Sequence, residues 1–370
     1  MYGQLDEATK NYCPMNTQQL LSYRSNGRDN HFNLLRMLAA AGVLISHAYP
    51  ISLGPSAIQP LQSSLKGTTL GTVCVMIFFA ISGFFITRSF DRKTSLRVFF
   101  VARGLRLFPA LIVVLIVTLV FSSLFLTHAP QAVFWAAADS YFLQNVTLFQ
   151  PKYALPGVFE SNPYGPAING SLWTLSYEVL CYTGVVLSGL FGLLRWKRAF
   201  GWALFILVIF YGASMAFELH PRIEALMMLA LPFAIGMAFY VWRNAIPLSG
   251  LLAIGLCAVA VLAWWTPVFL PVFSLALAYA IFVIGYSNNL RALRYNKLGD
   301  YSYGTYIYAF PIQQLVASIG VASPAANIAI ALPLTLICAV LSWHFVEYPA
   351  MNLRHRAARP RQVRRGKTTR

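Results

Sequence analysis

The sequence predicts an all-α polytopic membrane protein, about ten transmembrane helices in one bundle with the N- and C-termini in the cytoplasm. Three observations predict it. Hydrophobic residues make up 58% of the chain and charged residues only 11%, whereas a soluble domain is about a quarter charged. Apolar windows of about 18 residues or more recur along almost the whole length. The cations gather on one side once the helices are alternated across a bilayer.

The candidate helices fall at about 33–53, 69–90, 98–127, 171–194, 199–217, 223–242, 247–264, 267–286, 301–320 and 325–346. The first, NLLRMLAAAGVLISHAYPI, is apolar apart from Arg36 and His47. The second holds the aromatic-rich stretch IFFAISGFFITR. The third is long, tilted or broken near Pro109. The fourth begins on the outer side after a long loop. The seventh and eighth meet at Trp264, Trp265, Thr266 and Pro267, a tight hairpin or a kink, so nine or eleven helices stay open. The ninth opens on LGDYSYGTYIYAFPIQQL, and the tenth closes on WHFVEYPAMN.

With the N-terminus inside, Arg88, Arg92, Lys93, Arg97, Arg103 and Arg106 lie in the cytoplasm. So do Arg195, Lys197, Arg198, Arg243, Arg291, Arg294, Lys297 and the basic tail after Glu347. Only Lys66, Lys152 and Arg222 lie outside. This is the positive-inside pattern, and it supports an even number of helices. The chain divides into a polar cytoplasmic segment 1–30, a membrane domain 31–350 and a basic cytoplasmic tail 351–370. The formal charge of +17 therefore reads as a topology anchor near anionic lipid and not as a nucleic-acid surface. The first thirty residues lack the apolar core of a secretory signal, so the first spanning helix directs insertion.

No two of the five cysteines, Cys13, Cys74, Cys181, Cys257 and Cys338, have metal-ligand spacing. Four lie in apolar segments and read as small hydrophobes. No disulfide and no metal are expected. The sequon Asn145-Val146-Thr147 falls outside. The outer segment of about 128–170 carries Trp135, Tyr141, Tyr153, Phe159 and Tyr164 among repeated Gly and Pro. Loops of such length tend to be functional. Its rings read either as a platform for a sugar or as an interfacial belt.

Ionisable residues inside a membrane are costly, about 2.5–3.5 kcal/mol at a helix centre, so each needs a reason. Arg36 and His47 are eleven positions apart, a rotation of about 1100°, three turns plus about 20°, so they share one face about 16 Å apart. Each alone has a plain reading, a snorkelling anchor and a satisfied core histidine. Together they suggest a polar track through the bundle. Histidine handles protons near neutral pH and suits a general base. Arginine offers a planar donor fork for a phosphate, a carboxylate or an oxyanion.

In VFFVARGLRLFP, Arg103 and Arg106 are three apart on one face. They read as a phosphate clamp or as more cytoplasmic anchoring. In INGSLWTLSYEVLCY, Asn169, Trp173, Ser176 and Glu178 open a helix from the outer side. Glu178 lies about two turns in, where a bare carboxylate is expensive, and in the same outer half as His47. Ser82-Gly83 reads as a close helix contact. His344 and Glu347, three apart at the inner end of the last helix, are expected to pair with each other or with a basic loop residue.

These stretches, in this order, resemble the membrane-bound acyltransferase-3 family, whose members O-acylate sugars at the cell envelope. The resemblance covers nearly all of Asn33 to Pro349. Arg36 and His47 are similar to its arginine-ten-residues-histidine motif. FFAISGFFIT, the Arg103, Arg106 and Pro109 set, NGSLWTLSYE, SYGTYIYAFP and VEYP are similar to its later motifs. There are departures: Ala309 stands where many relatives carry a histidine, and Val179 where many carry a second acid. The chain stops soon after the last helix, so no appended extracytoplasmic domain is expected.

The resemblance implies an O-acyltransferase of the bacterial inner membrane that uses acyl-CoA, most simply acetyl-CoA, as co-substrate with no bound cofactor. The acceptor would be a glycan or glycolipid at the lipid bilayer. His47, Arg36 and Glu178 would be catalytic. Arg103 and Arg106 would bind the acyl-CoA phosphates. Trp173, Ser176, Asn169, Tyr303 and Ser82 would contact substrate. No P-loop is visible, and the thioester itself supplies the driving force. The rival reading is a transporter or flippase for a glycolipid or small acid; a third is a non-catalytic membrane scaffold.

Overall fold

A computed structural model describes residues 19–27, 30–92, 95–217, 219–287 and 294–357. Among them there is no strand, only an isolated bridge between Leu20 and Pro247. The helices are α1 (Phe32–Leu53), α2 (Leu70–Asp91), α3 (Leu96–Phe121), α4 (Gln131–Thr147), α5 (Trp173–Leu190), α6 (Lys197–Ala216), α7 (Pro221–Val241), α8 (Gly250–Leu262), α9 (Phe269–Gly285), α10 (Ser302–Ser318), α11 (Pro324–Ser342) and α12 (Tyr348–Ala357). Single π-turns continue α3 through Ser122–Leu126 and join α11 to α12 through Trp343–Glu347.

Every one of the ten expected segments is helical. Among the described residues, six stretches are long and apolar enough to cross a membrane: Phe32–Leu53, Leu70–Asp91, Leu96–Leu126, Lys197–Met215, Pro221–Val241 and Pro324–Leu353. Gly250–Trp265 and Phe269–Gly285 are apolar but shorter. A spanning helix needs about 20 residues, fewer in a thinned bilayer.

The structure decides three local points. The third helix is not broken at Pro109: α3 runs through it. Pro109 removes only the helix bond to Leu105 O, and the Tyr303 hydroxyl braces the same stretch of α3 by donating to Leu107 O at 2.8 Å. The outer segment is not an extended loop throughout, because α4 occupies 17 residues of it. Its Pro130 start and left-handed Leu148 stop mark it off from α3. The junction near Trp264 is a true break, with a 3₁₀ turn Ala263–Trp265 before α9 restarts. The sequon asparagine is buried: Asn145 is 0% exposed and its Nδ2 donates to Tyr141 O and Lys152 O, both at 2.8 Å.

The chain forms two compact units. The first comprises 1–36, 75–88 and 181–298. Its core is aromatic. Phe282 lies about 5 Å from the rings of Phe32, Phe84 and Phe239. Here α2 and α7 cross at glycines. A Cβ on Gly83 would collide with Phe233 O, and one on Gly236 with Ala80 O. Small residues permit that approach where hydrophobic attraction between helices is weak.

The second unit comprises 37–74, 89–180 and 299–370. Its centre is α10, packed against α11, α3 and the 3₁₀ turn Gly170–Leu172 that leads into α5. Along α10, fully buried polar groups alternate with aromatic ones: Thr305, Tyr306, Phe310, Gln313 and Gln314. The basic tail beyond residue 357, Cys13, Lys93 and Arg291 lie outside the described residues.

Candidate active site

His47 is set on α1, which runs unbroken from Phe32 to Leu53 with Pro50 near its end. The imidazole is half-buried. It meets the Phe310 ring edge-on at 5.3 Å between centroids, and Phe310 in turn meets Tyr164 of the outer loop at 6.0 Å. The His47 Nδ1 atom is sealed from solvent and has no hydrogen-bond partner. A buried nitrogen without a partner is uncommon and invites a functional reading.

A run of polar groups leads from that point toward the start of α10. Gly170 packs its backbone on Phe310. One turn on, Thr174 Oγ1 and Tyr306 Oη are 2.6 Å apart, and Tyr306 also donates to Ser171 O. Glu178, half-buried, lies within electrostatic reach of Tyr303 and Tyr306. Tyr303 is seven residues from Phe310, about 10 Å along the axis. The carboxylate is therefore set at the Tyr303–Tyr306 level of α10, and the imidazole at the Phe310 level.

At the foot of α10 sits a charged cluster. Arg106 Nη2 is 2.6 Å from Asp300 Oδ2, and Nη1 is 3.2 Å from Glu347 Oε2. Ser302 Oγ donates to Asp300 at 2.6 Å and Ser342 Oγ to Glu347 at 3.0 Å. The guanidinium also lies near the faces of Tyr303 and Trp343, 5.8 and 5.9 Å from the centroids. The expected pairing of Glu347 with His344 or a loop cation is thus corrected: its partner is Arg106 of α3, while His344 Nε2 is 3.4 Å from the Tyr301 hydroxyl. Three elements separated by up to 241 positions bring this cluster together, a pairing that local spacing cannot show. Arg103, one turn earlier, differs: its Nε is buried without a hydrogen-bond partner.

The remaining residues singled out from sequence divide by what they touch. Asn169 is buried and both ends of its amide are engaged, Nδ2 donating to Ile307 O at 2.9 Å and Oδ1 accepting from Ser171 N at 3.2 Å. It caps the turn into α5. Ser176 donates to Leu148 O at 2.8 Å, fastening the end of α4. Trp173 is half-buried and edge-on to Tyr177 at 5.5 Å. In the first unit, the Arg36 guanidinium lies 5.7 Å from the Phe85 ring centroid, and Ser82 is half-buried beside Gly83. Sequence reasoning passed over Phe310, Tyr306, Gln313 and Asp300. The available signal was two consecutive glutamines and an acid within one otherwise apolar and aromatic stretch.

The chain is similar to known proteins over most of its length. The family model described as an acyltransferase domain matches residues 29–344. The chain is 28% identical over 332 residues to an O-acetyl transferase of Shigella phage Sf6, covering 86% of this chain and 95% of that protein. It is 30% identical over 368 residues to nodulation protein 10 of Rhizobium leguminosarum bv. viciae, covering 89% and 95% respectively. No solved structure matches. This chain belongs to the acyltransferase-3 family. It is an O-acyltransferase with membrane character.

Proposed function

We propose that this O-acyltransferase moves an acetyl group from cytoplasmic acetyl-CoA to a hydroxyl of an envelope or exported glycan in the bacterial inner membrane. The observation that carries the reading is His47, a half-buried imidazole within a helix long enough to span a membrane, with Nδ1 enclosed and unpartnered. The relative named O-acetyl transferase supports acetyl as the group. Family membership disfavours the transporter and scaffold readings.

In this mechanism an acceptor hydroxyl reaches Nε2 of His47. The imidazole takes its proton as the oxygen attacks the thioester carbonyl. The new C–O bond forms, the C–S bond breaks, and the proton passes to the departing CoA sulfur. The products are the acylated sugar and free CoA thiol, and no nucleotide is hydrolysed. Arg103 and Arg106 hold the donor phosphates at the inner end of α3. Arg106 is fixed in place by Asp300 and Glu347, and Arg103 brings the uncommitted fork. Arg36 offers a planar donor fork for a carboxylate, a phosphate or an oxyanion. Glu178 and Trp173 orient the acceptor.

Replacing His47 with Ala in the source strain, with envelope glycans read by mass spectrometry, tests the centre of this reading. O-acetyl content is expected to fall by roughly 10²-fold or more, the scale of general-base catalysis. Wild-type O-acetylation by a well-expressed variant would remove His47 from the chemistry. For the donor site, Arg103→Gln is expected to raise the apparent KM for acetyl-CoA by about tenfold, the worth of one charge-assisted hydrogen bond. An unchanged KM would return Arg103 to an anchoring role.

A further inference from the structure

On α10, one turn after the Phe310 ring that meets His47, lies a carboxamide that the mechanism above does not use. Gln313 is fully buried, at 0% exposure. Its Nε2 donates to Leu44 O at 2.9 Å and to Asn327 Oδ1 at 3.2 Å. Asn327 is itself fully buried and returns a bond from Nδ2 to Gln313 O at 3.0 Å. Both acceptors require the NH₂ end of Gln313, so the network dictates which way the amide points. Its Oε1 is left buried without a hydrogen-bond partner.

A buried amide oxygen without a partner costs about 1–3 kcal/mol. An aliphatic side chain of similar volume would avoid that cost. The location suggests what the oxygen is for. Leu44 precedes His47 by three residues, about 4.5 Å along the helix and on nearly the same face. On the facing helix, Phe310 touches the imidazole and precedes Gln313 by the same three residues. Gln313 Oε1 and Nε2 share one carboxamide carbon, so the oxygen is anchored beside α1 at the turn that carries His47. Gln313 Oε1 is an acceptor lacking a donor, and His47 Nδ1 is a nitrogen lacking a partner.

We propose that Gln313, braced by Asn327, is a positioning residue for the His47 imidazole. Its Oε1 accepts from Nδ1–H through one enclosed water, or directly after a small rotation of the ring. The bond sets the tautomer. With the proton held on Nδ1, the lone pair lies on Nε2, where the acceptor hydroxyl is deprotonated. When Nε2 takes that proton, the same oxygen stabilises the cation. This inference rests on the reading of His47 as the base.

The test compares Gln313→Met, which removes the oxygen at similar volume, with Gln313→Glu, which keeps an acceptor, and with His47→Ala. All are full-length proteins in membranes of a strain lacking the chromosomal copy. Three quantities are read: O-acetyl content of the envelope glycan per copy of enzyme, thermal midpoint in detergent, and the rate of diethylpyrocarbonate modification of His47 by peptide mass spectrometry. Gln313→Met is expected to lose roughly 10²-fold in transfer and to slow modification of His47, with the midpoint within a few degrees of wild type. Gln313→Glu, whose neutral carboxyl keeps one donor and one acceptor, is expected to recover part of the transfer. Wild-type transfer by Gln313→Met alongside a dead His47→Ala would overturn this inference alone. Equal loss in both Gln313 variants, tracking a fallen midpoint with His47 reactivity unchanged, would also overturn it by reducing Gln313 to packing. An active His47→Ala would overturn the base assignment itself, whatever Gln313 does.

Discussion

The residues that matter most here are those a bilayer should exclude. Glu347 is 1% exposed and survives in the π-turn after α11 because Arg106 and Ser342 hold it. Removing one partner of a buried ion pair leaves the other charge uncompensated, at a cost of several kcal/mol. Glu347→Ala is expected to lower stability by roughly 3 kcal/mol, read as a drop in thermal midpoint in detergent. Glu347→Gln keeps the hydrogen bond and should lose less. An unshifted midpoint for the alanine variant would show the cluster to be solvated. At this scale much was legible. Arg36, His47, Arg103, Arg106 and Glu178 stand out because charge is expensive in an apolar segment. Gln313 did not, because a neutral amide costs less and is common at helix contacts.

Elements meet through small residues and buried amides. The crossing of α2 and α7 leaves no room for a side chain at Gly83 or Gly236. Gly83→Val is expected to cut the yield of folded protein severalfold, since overpacking a contact against backbone has no rotamer escape; fluorescence-detected size exclusion would register a normal monodisperse peak if the crossing were loose. One residue of α10, Gln314, makes several of the bonds that hold the outer loop. Gln314 Nε2 donates to Tyr164 O and Ala167 O at 3.0 and 2.6 Å, and Asn162 Nδ2 donates back to Gln314 O and Oε1, both at 2.9 Å. Gln314→Leu should free residues 153–168 for proteolysis. Chymotryptic cleavage at Phe159 or Tyr164 should speed up several-fold, and an unchanged rate would mean that the loop is held elsewhere. Helix positions were readable because spanning segments announce themselves by hydropathy. The helix α4 was not, because its residues mix apolar and polar types between proline- and glycine-rich flanks and carry no 18-residue apolar run.

For the molecule as a whole, the charge distribution of the sequence makes a prediction about sidedness. With both termini inside, a single cysteine placed near residue 365 in a cysteine-free variant should be shielded from an impermeant maleimide in intact cells and labelled after lysis. Labelling in intact cells would reverse the assigned topology. Such a result would also place Arg103 and Arg106 on the wrong side for a cytoplasmic thioester, so it bears on the donor as well as on the fold.

The sequence by itself determined the class of protein, the ten helical segments and the identity of the costly polar residues, since each depends on local composition and helical period. The tertiary structure alone decided the partnerships: Arg106 with Asp300 and Glu347, Phe310 against His47, Gln313 against Leu44. Those contacts join positions 194 to 269 residues apart. Hydropathy says that a helix must bury a polar side chain, but only the packing of one helix on another supplies the atom that receives it.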